Sequence, residues 1–169
     1  MNTPIRTTLA IALIGASALA QAQTQGSGAV LSERNVSLAL ANQIAAATVA
    51  ACSANGHAVT ATVVDRAGNV RAMQRADNAG PHTLEASRLK AYTSASARNT
   101  TLAMMEASQK NPAAANLKDI PGYLLLGGGV PVRAGNEVIG AVGVGGAPGG
   151  HLDEQCAMAA LEQVKAALQ

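Results

Sequence analysis

His82 and His151 share a context. Each follows a stretch rich in glycine or proline, each opens an expected helix, and each has a glutamate three residues on, as His82-x-x-Glu85 and His151-x-x-Glu154. Helical positions three apart lie on one face. The partial positive charge of a helix N-terminus disfavours protonated imidazole, so such a ring tends to stay neutral with a lone pair free for a metal. Flexible glycines alongside leave room for a large ligand. One chemistry this suits is axial ligation of heme iron, with one ring nitrogen on the metal and the other held by a carboxylate or carbonyl. If the two histidines converge, a second opens: a mononuclear divalent-metal site of His82, His151, Glu85 and Glu154, with Asp153, similar to a two-histidine, one-carboxylate arrangement. The plainer alternative is that both rings only cap helices and their glutamates answer the dipole.

Other side chains bear on the same choice. Arg88 and Lys90 lie on the helix that His82 opens and could pair with carboxylates, whether heme propionates or a small organic acid; an ordinary solvated face is the alternative. Tyr92 could offer a phenolic oxygen to ferric iron or simply pack with its hydroxyl outward. Met73, Met104 and Met105 could line a ring pocket, although their spacing suits core filling better. His57, beside Gly56 at the exit of the first expected helix, reads as a surface or cap residue. The glycine runs complete no GxGxxG, no Gly-Lys-Ser/Thr follows a strand, and no serine occupies a Gly-x-Ser-x-Gly elbow. Nucleotide-binding loops and serine triads are therefore excluded.

The elements that must position these residues are announced by a repeat. Arg66-Ala67-Gly68-Asn69 recurs as Arg133-Ala134-Gly135-Asn136, each copy set between two β-branched runs. Glycine and asparagine tolerate positive φ, so each copy reads as a tight hairpin loop. The first hairpin is expected over about residues 59–75, and the second follows the triple glycine 127–129. Before the first, Ser32 caps an expected helix through Val36, Leu40, Ile44 and Ala47 that ends at Asn55-Gly56. Between the hairpins, one helix is expected over about residues 82–98, with small residues at Ala86, Ala91, Ser94 and Ala95. A helical stretch through Leu102 and Met105 comes next, and Asn111-Pro112 then caps a further helical turn. Residues 123–126 read as a short extra strand, and a closing helix is expected over about residues 152–168. Strands joined by tight turns are antiparallel. The expected architecture is α+β: one antiparallel sheet of about five strands built from two hairpins, with N-terminal, central and C-terminal helices packed on it.

Composition narrows the class. Residues 1–22 have a positive start at Arg6, a short apolar stretch and small-x-small sites around Ala20, which read as a secretory signal peptide. Residues 23–30 form a flexible linker, and residues 31–169 one domain. The mature chain is expected to be periplasmic or secreted, without membrane insertion. Lys plus Arg number 12 and Asp plus Glu 10, with no block of like charge, so nucleic-acid binding has no electrostatic footprint. There is no Phe or Trp and only Tyr92 and Tyr123, so the core must be aliphatic and base-stacking surfaces are excluded. Cys52 and Cys156 fall in the first and last expected helices. They either form a bridge, in an oxidising compartment, or stay as two buried thiols.

Four segments carry a family resemblance in register: Val63-Val64-Asp65-Arg66-Ala67-Gly68-Asn69, Lys90-Ala91-Tyr92-Thr93, Gly127-Gly128-Gly129-Val130-Pro131-Val132, and the run from Val138-Ile139-Gly140 to Val144-Gly145-Gly146. Together they resemble the GlcG/HbpS-like heme-binding family, related to the C-terminal domain of PduO-type cobalamin adenosyltransferases. The resemblance implies a sandwich of one antiparallel sheet with helices, assembly into homo-oligomers, and tetrapyrrole binding in some members. The matched residues are architectural, and Asp65 is expected to accept hydrogen bonds from its own turn. The histidines lie outside these segments, so their role rests on chemistry alone. Two functional expectations follow. The first is an exported, non-catalytic heme or tetrapyrrole carrier, with His82 or His151 as axial ligand and Arg88, Lys90 and Tyr92 as further contacts. The second is a metal-assisted enzyme, or enzyme accessory, acting on a small organic acid or quinone-like compound. A purely structural or signalling-partner role is the third possibility.

Overall fold

The computed structural model describes residues 29–169. The signal peptide and most of the linker expected above lie outside them. Residues Glu33–Gln169 form one compact unit, in the order α1 (Leu38–Ala54), β1 (Thr60–Asp65), β2 (Val70–Arg75), α2 (His82–Ala97), α3 (Thr101–Lys110), a 3-10 helix (Pro112–Asp119), β3 (Gly129–Ala134), β4 (Glu137–Gly145), α4 (Gly150–Gln163) and a short 3-10 turn (Lys165–Leu168). The two hairpins lie side by side as β2-β1-β4-β3, antiparallel throughout. The class is α+β as expected, with four strands among the described residues rather than about five.

The extra strand is absent for a local reason. Residues 123–126 satisfy their backbone on side chains of the helices: Leu124 N–H donates to Thr93 Oγ1 at 2.8 Å, and the Leu126 carbonyl accepts from Thr101 Oγ1 at 2.7 Å. These bonds hold the segment against α2 and α3 instead of in the sheet. Helix α1 begins later than Ser32 because residues 33–36 run along the sheet, where Val36 N–H donates to the Ile139 carbonyl at 2.9 Å. Ser37 caps the helix instead, accepting from Leu40 N–H.

The identical tetrapeptides make different turns. Asp65 Oδ1 accepts from Ala67 and Asn69 N–H at 3.0 and 2.9 Å, opening a four-residue loop with Gly68 at φ 85°. The residue before the second copy is Val132, which has no such acceptor. There β3 continues through Arg133-Ala134 and the turn closes on Gly135 (φ 62°) and Asn136, with positive φ only at its first central residue, as in a II′ turn.

Helices α1 and α4 cover one face of the sheet, over an aliphatic core that includes Ile44, Val63, Val132, Val142 and Val144. Cys52 and Cys156 join these two helices in a disulfide with Cα atoms 5.3 Å apart, within the usual range for a bridge. Helix α2 covers the other face mainly through small residues, with the buried Lys90 among them. Thr60 and Thr62 of β1 share hydrogen bonds with Thr83 and Ser87 of α2, each at 2.7 Å. A Cβ placed on Gly143 would stand 2.1 Å from the Ser87 carbonyl oxygen and 2.4 Å from Ala91 N. Only glycine permits so close an approach.

Candidate functional site

Helices α2 and α4 both begin at the end of the sheet where β4 finishes. Between them lies a cleft of about 220 Å3 lined by His82, Ala86, Lys90, Leu126, Asp153 and the glycine-rich loop 145–150. His82, Ala86 and Lys90 are spaced by four and therefore form one stripe of α2. The glycines around them keep the walls low.

The floor is an ion pair. Lys90 and Asp153 are almost wholly buried, and Lys90 Nζ donates to Asp153 Oδ2 and to the Val144 carbonyl, both at 2.8 Å. Asp153 Oδ1 accepts from Ala147 N–H at 3.0 Å, tying the 145–150 loop to α4. Burial pushes the Asp153 carboxyl up from its ordinary value, opposed by the Lys90 charge and by the hydrogen bonds from Lys90 and Ala147. Lys90 is thus engaged inside the protein, where the sequence suggested a propionate partner. Asp153 was weighed only as a possible metal ligand. The available signal was a lysine embedded among Ser, Ala and Thr on the helix face that meets the sheet.

His82 stands exposed at the mouth. Its ring folds back over Gly80, where an added Cβ would lie 2.7 Å from Cε1. The side-chain hydrogen bond at this helix start is that of Thr83, whose Oγ1 donates to the Gly80 carbonyl at 2.6 Å. His151 repeats the arrangement on α4, exposed, with its Cε1 2.7 Å from where a Gly149 Cβ would be. Gly149 and Gly150 line the cleft, whereas the His151 ring lies off its walls. The shared context is real in space: both histidines flank helix starts that meet at one cleft.

The glutamates go elsewhere. Glu85 forms a two-point ion pair with Arg88, Nε to Oε2 at 2.8 Å and Nη2 to Oε1 at 2.7 Å. That hydrogen bonding lowers the Glu85 carboxyl and raises the Arg88 guanidinium from their ordinary values. Glu154 is buried and turned inward, with Oε2 lacking a partner. Burial raises its carboxyl, against the opposing influence of the Gly128 and Leu102 amides and the Thr100 hydroxyl. Among the described residues, no three His, Cys, Asp or Glu side chains gather as a metal would require, so the His/Glu set does not assemble. Tyr92 sits about 15 Å along α2 from His82, at the helical rise. Its ring packs over Gly68 and Gly122 and meets Tyr123 edge-on at 6.4 Å. Met104 is buried as core filling, whereas Met73 is partly exposed on β2.

A four-stranded antiparallel sheet with helices on both faces and a glycine-rimmed cleft between two helix starts defines an α+β sandwich class. More specifically, the chain belongs to the HbpS-like family: the family model described as "Haem degrading protein HbpS-like" matches residues 36–162. A crystal structure of a double mutant of Streptomyces reticuli HbpS superposes with a TM-score of 0.76 at 33% identity, covering 94% of this chain and 99% of that one. A 15.0 kDa protein of the dhaT-dhaS intergenic region of Citrobacter freundii is 35% identical over 113 residues, 66% of this chain and 80% of the relative. The fold is also that of PduOC, solved as a heme complex, with a TM-score of 0.70 at 22% identity over 76% of this chain and 94% of that one.

Proposed function

We propose that this protein is an exported, non-catalytic heme-binding protein whose axial ligand is His82. The observation that carries the reading is the exposed His82 ring at the mouth of a glycine-rimmed cleft between two helix starts. The family description, which names heme, supports the same reading. Two helix N-termini facing one cleft favour anionic groups, which suits propionates. At about 220 Å3 the cleft is smaller than the roughly 300–1,000 Å3 of pockets that engulf a ligand. It therefore takes an edge of the macrocycle, with the rest lying across the mouth. His151, on the second helix start, is the alternative ligand. Lys90 and Asp153 hold the floor and the loop in place, and Arg88 must exchange Glu85 for a propionate if it is to contribute.

Export is supported by the Cys52–Cys156 disulfide, since such bonds persist in oxidising compartments, and by the leader-like residues 1–22. Assembly into a homo-oligomer is supported by Val70 and Met73, partly exposed on the edge strand β2. Breakdown of the bound heme is the second reading, favoured by the family description, which names heme degradation.

Heme titration of the purified apo protein tests this directly. A saturable Soret shift is expected, lost in His82→Ala or weakened at least about tenfold, the scale on which metal affinity falls even when only a ligand's supporting partner is removed, and retained in His151→Ala. Retention in both variants would sink the ligand assignment. A Soret band that decays under reductant and oxygen only when protein is present would favour degradation over carriage.

A further inference from the structure

The repeated tetrapeptide brings two arginines to one place that the heme reading does not use. Strands β1 and β3 run in the same direction toward neighbouring hairpin tips, so Arg66 and Arg133 reach the same end of the sheet. Arg98 arrives there as the residue that ends α2, and Arg34 from the segment preceding α1. With Glu137 and the Gly135-Asn136 turn they line a cleft of about 580 Å3. This lies at the far end of β4 from the His82 cleft, about 26 Å away at the usual strand rise.

The charge in this cleft is unbalanced. Arg66 is paired with Glu137, and also with Glu33 at 3.5 Å. Among the described residues, no carboxylate pairs with Arg34, Arg98 or Arg133. Arg34 Nη1 donates to the Ala134 carbonyl at 3.2 Å, and Arg133 Nη2 to the Arg98 carbonyl at 2.9 Å. Each bond fixes one edge of a guanidinium and leaves the rest of its donor fork free. Arg98 holds a left-handed conformation, φ 55° and ψ 30°, which glycine would adopt without strain at a helix end. A charged side chain stands where the backbone favours none.

We propose that this cleft binds a small polyanion, a molecule carrying two or more phosphate or carboxylate groups. Guanidinium forks match such oxyanions two bonds at a time. One exposed pair contributes little; three forks without a carboxylate partner, those of Arg34 and Arg133 anchored on carbonyls, contribute together. The volume suits a ligand of that size.

Isothermal titration of the purified protein, at ionic strength held constant with sodium chloride, tests the site with inorganic pyrophosphate and citrate as probes. One-to-one binding with a Kd tighter than about 1 mM is expected for at least one of them. The tighter probe decides between a phosphate and a carboxylate ligand. The double variant Arg98→Gly/Arg133→Gln should weaken binding about tenfold or more while leaving the fold intact, since glycine suits the left-handed position. Glu137→Gln should strengthen binding about threefold, an effect that a merely structural role would not produce. The proposal is overturned if neither probe saturates, or if the folded double variant binds as the unmodified protein does.

Discussion

Asp153→Ala is the most informative single change at the floor of the candidate site. It leaves the Lys90 ammonium buried with the Val144 carbonyl as its remaining hydrogen-bond partner and releases the Ala147 amide from its acceptor. Removing one partner of a buried ion pair costs about 3–5 kcal/mol, because the other charge stays desolvated and uncompensated. Lys90 and Asp153 side chains are 2% and 3% exposed, so solvent screens that charge little in the folded protein. Against a total stability of about 5–15 kcal/mol for a domain, the loss is large. Lys90→Met removes the charge and keeps most of the volume. The double variant should therefore recover at least about 1–2 kcal/mol relative to Asp153→Ala alone. Urea unfolding of the oxidised protein, read by far-UV circular dichroism with linear extrapolation, measures all three values. If Asp153→Ala costs less than about 1 kcal/mol, or the two changes simply add, the pair is not the desolvated floor argued here.

Three further outcomes follow from the packing. Gly143→Ala should destabilise by about 3–5 kcal/mol, since α2 must lift and stretch its two hydroxyl bonds to β1; chemical unfolding reads the loss, and a cost below about 1 kcal/mol would mean the helix yields freely. Reducing the Cys52–Cys156 bridge, which spans 104 residues, should cost about 2–5 kcal/mol on the chain-entropy account; melting with and without dithiothreitol tests it, and coincident melts would contradict it. Glu154 has its carboxyl raised by burial, so its stabilising contribution is complete below the ordinary value of 4.5 and is lost as pH rises through the higher folded value. Glu154→Gln removes that loss, so the variant's thermal midpoint should gain on the unmodified protein from about pH 4.5 toward neutrality; parallel curves would refute it.

The residues themselves determined most of the scaffold. Short β-branched runs bracketing Gly68 and Gly135 predicted both hairpins, and the sparse aromatics predicted a core of Val, Leu, Ile, Met and Ala. The small residues Ala86, Ala91, Ser94 and Ala95 marked the helix as one on which something packs tightly. These are local signals, written in period and turn chemistry. Residues 123–126 misled because their apolar run has the composition of a strand, while their hydrogen bonds go to Thr93 and Thr101, far off in the chain.

The site was legible only in part. His82 and His151 were marked by their glycines and helix starts, and those starts do meet at one cleft. What the string of residues did not contain was direction. Whether Glu85 faces His82 or Arg88, whether Lys90 points to solvent or to Asp153, and whether Cys52 meets Cys156 depend on how two helices are docked across a sheet. The same holds for the paired tetrapeptide, whose two arginines share a cleft only because the order β2-β1-β4-β3 sets both hairpin tips at one end. Sequence spacing sets which residues share a face of one element. Burial and charge pairing arise between elements, so tertiary packing alone decided them.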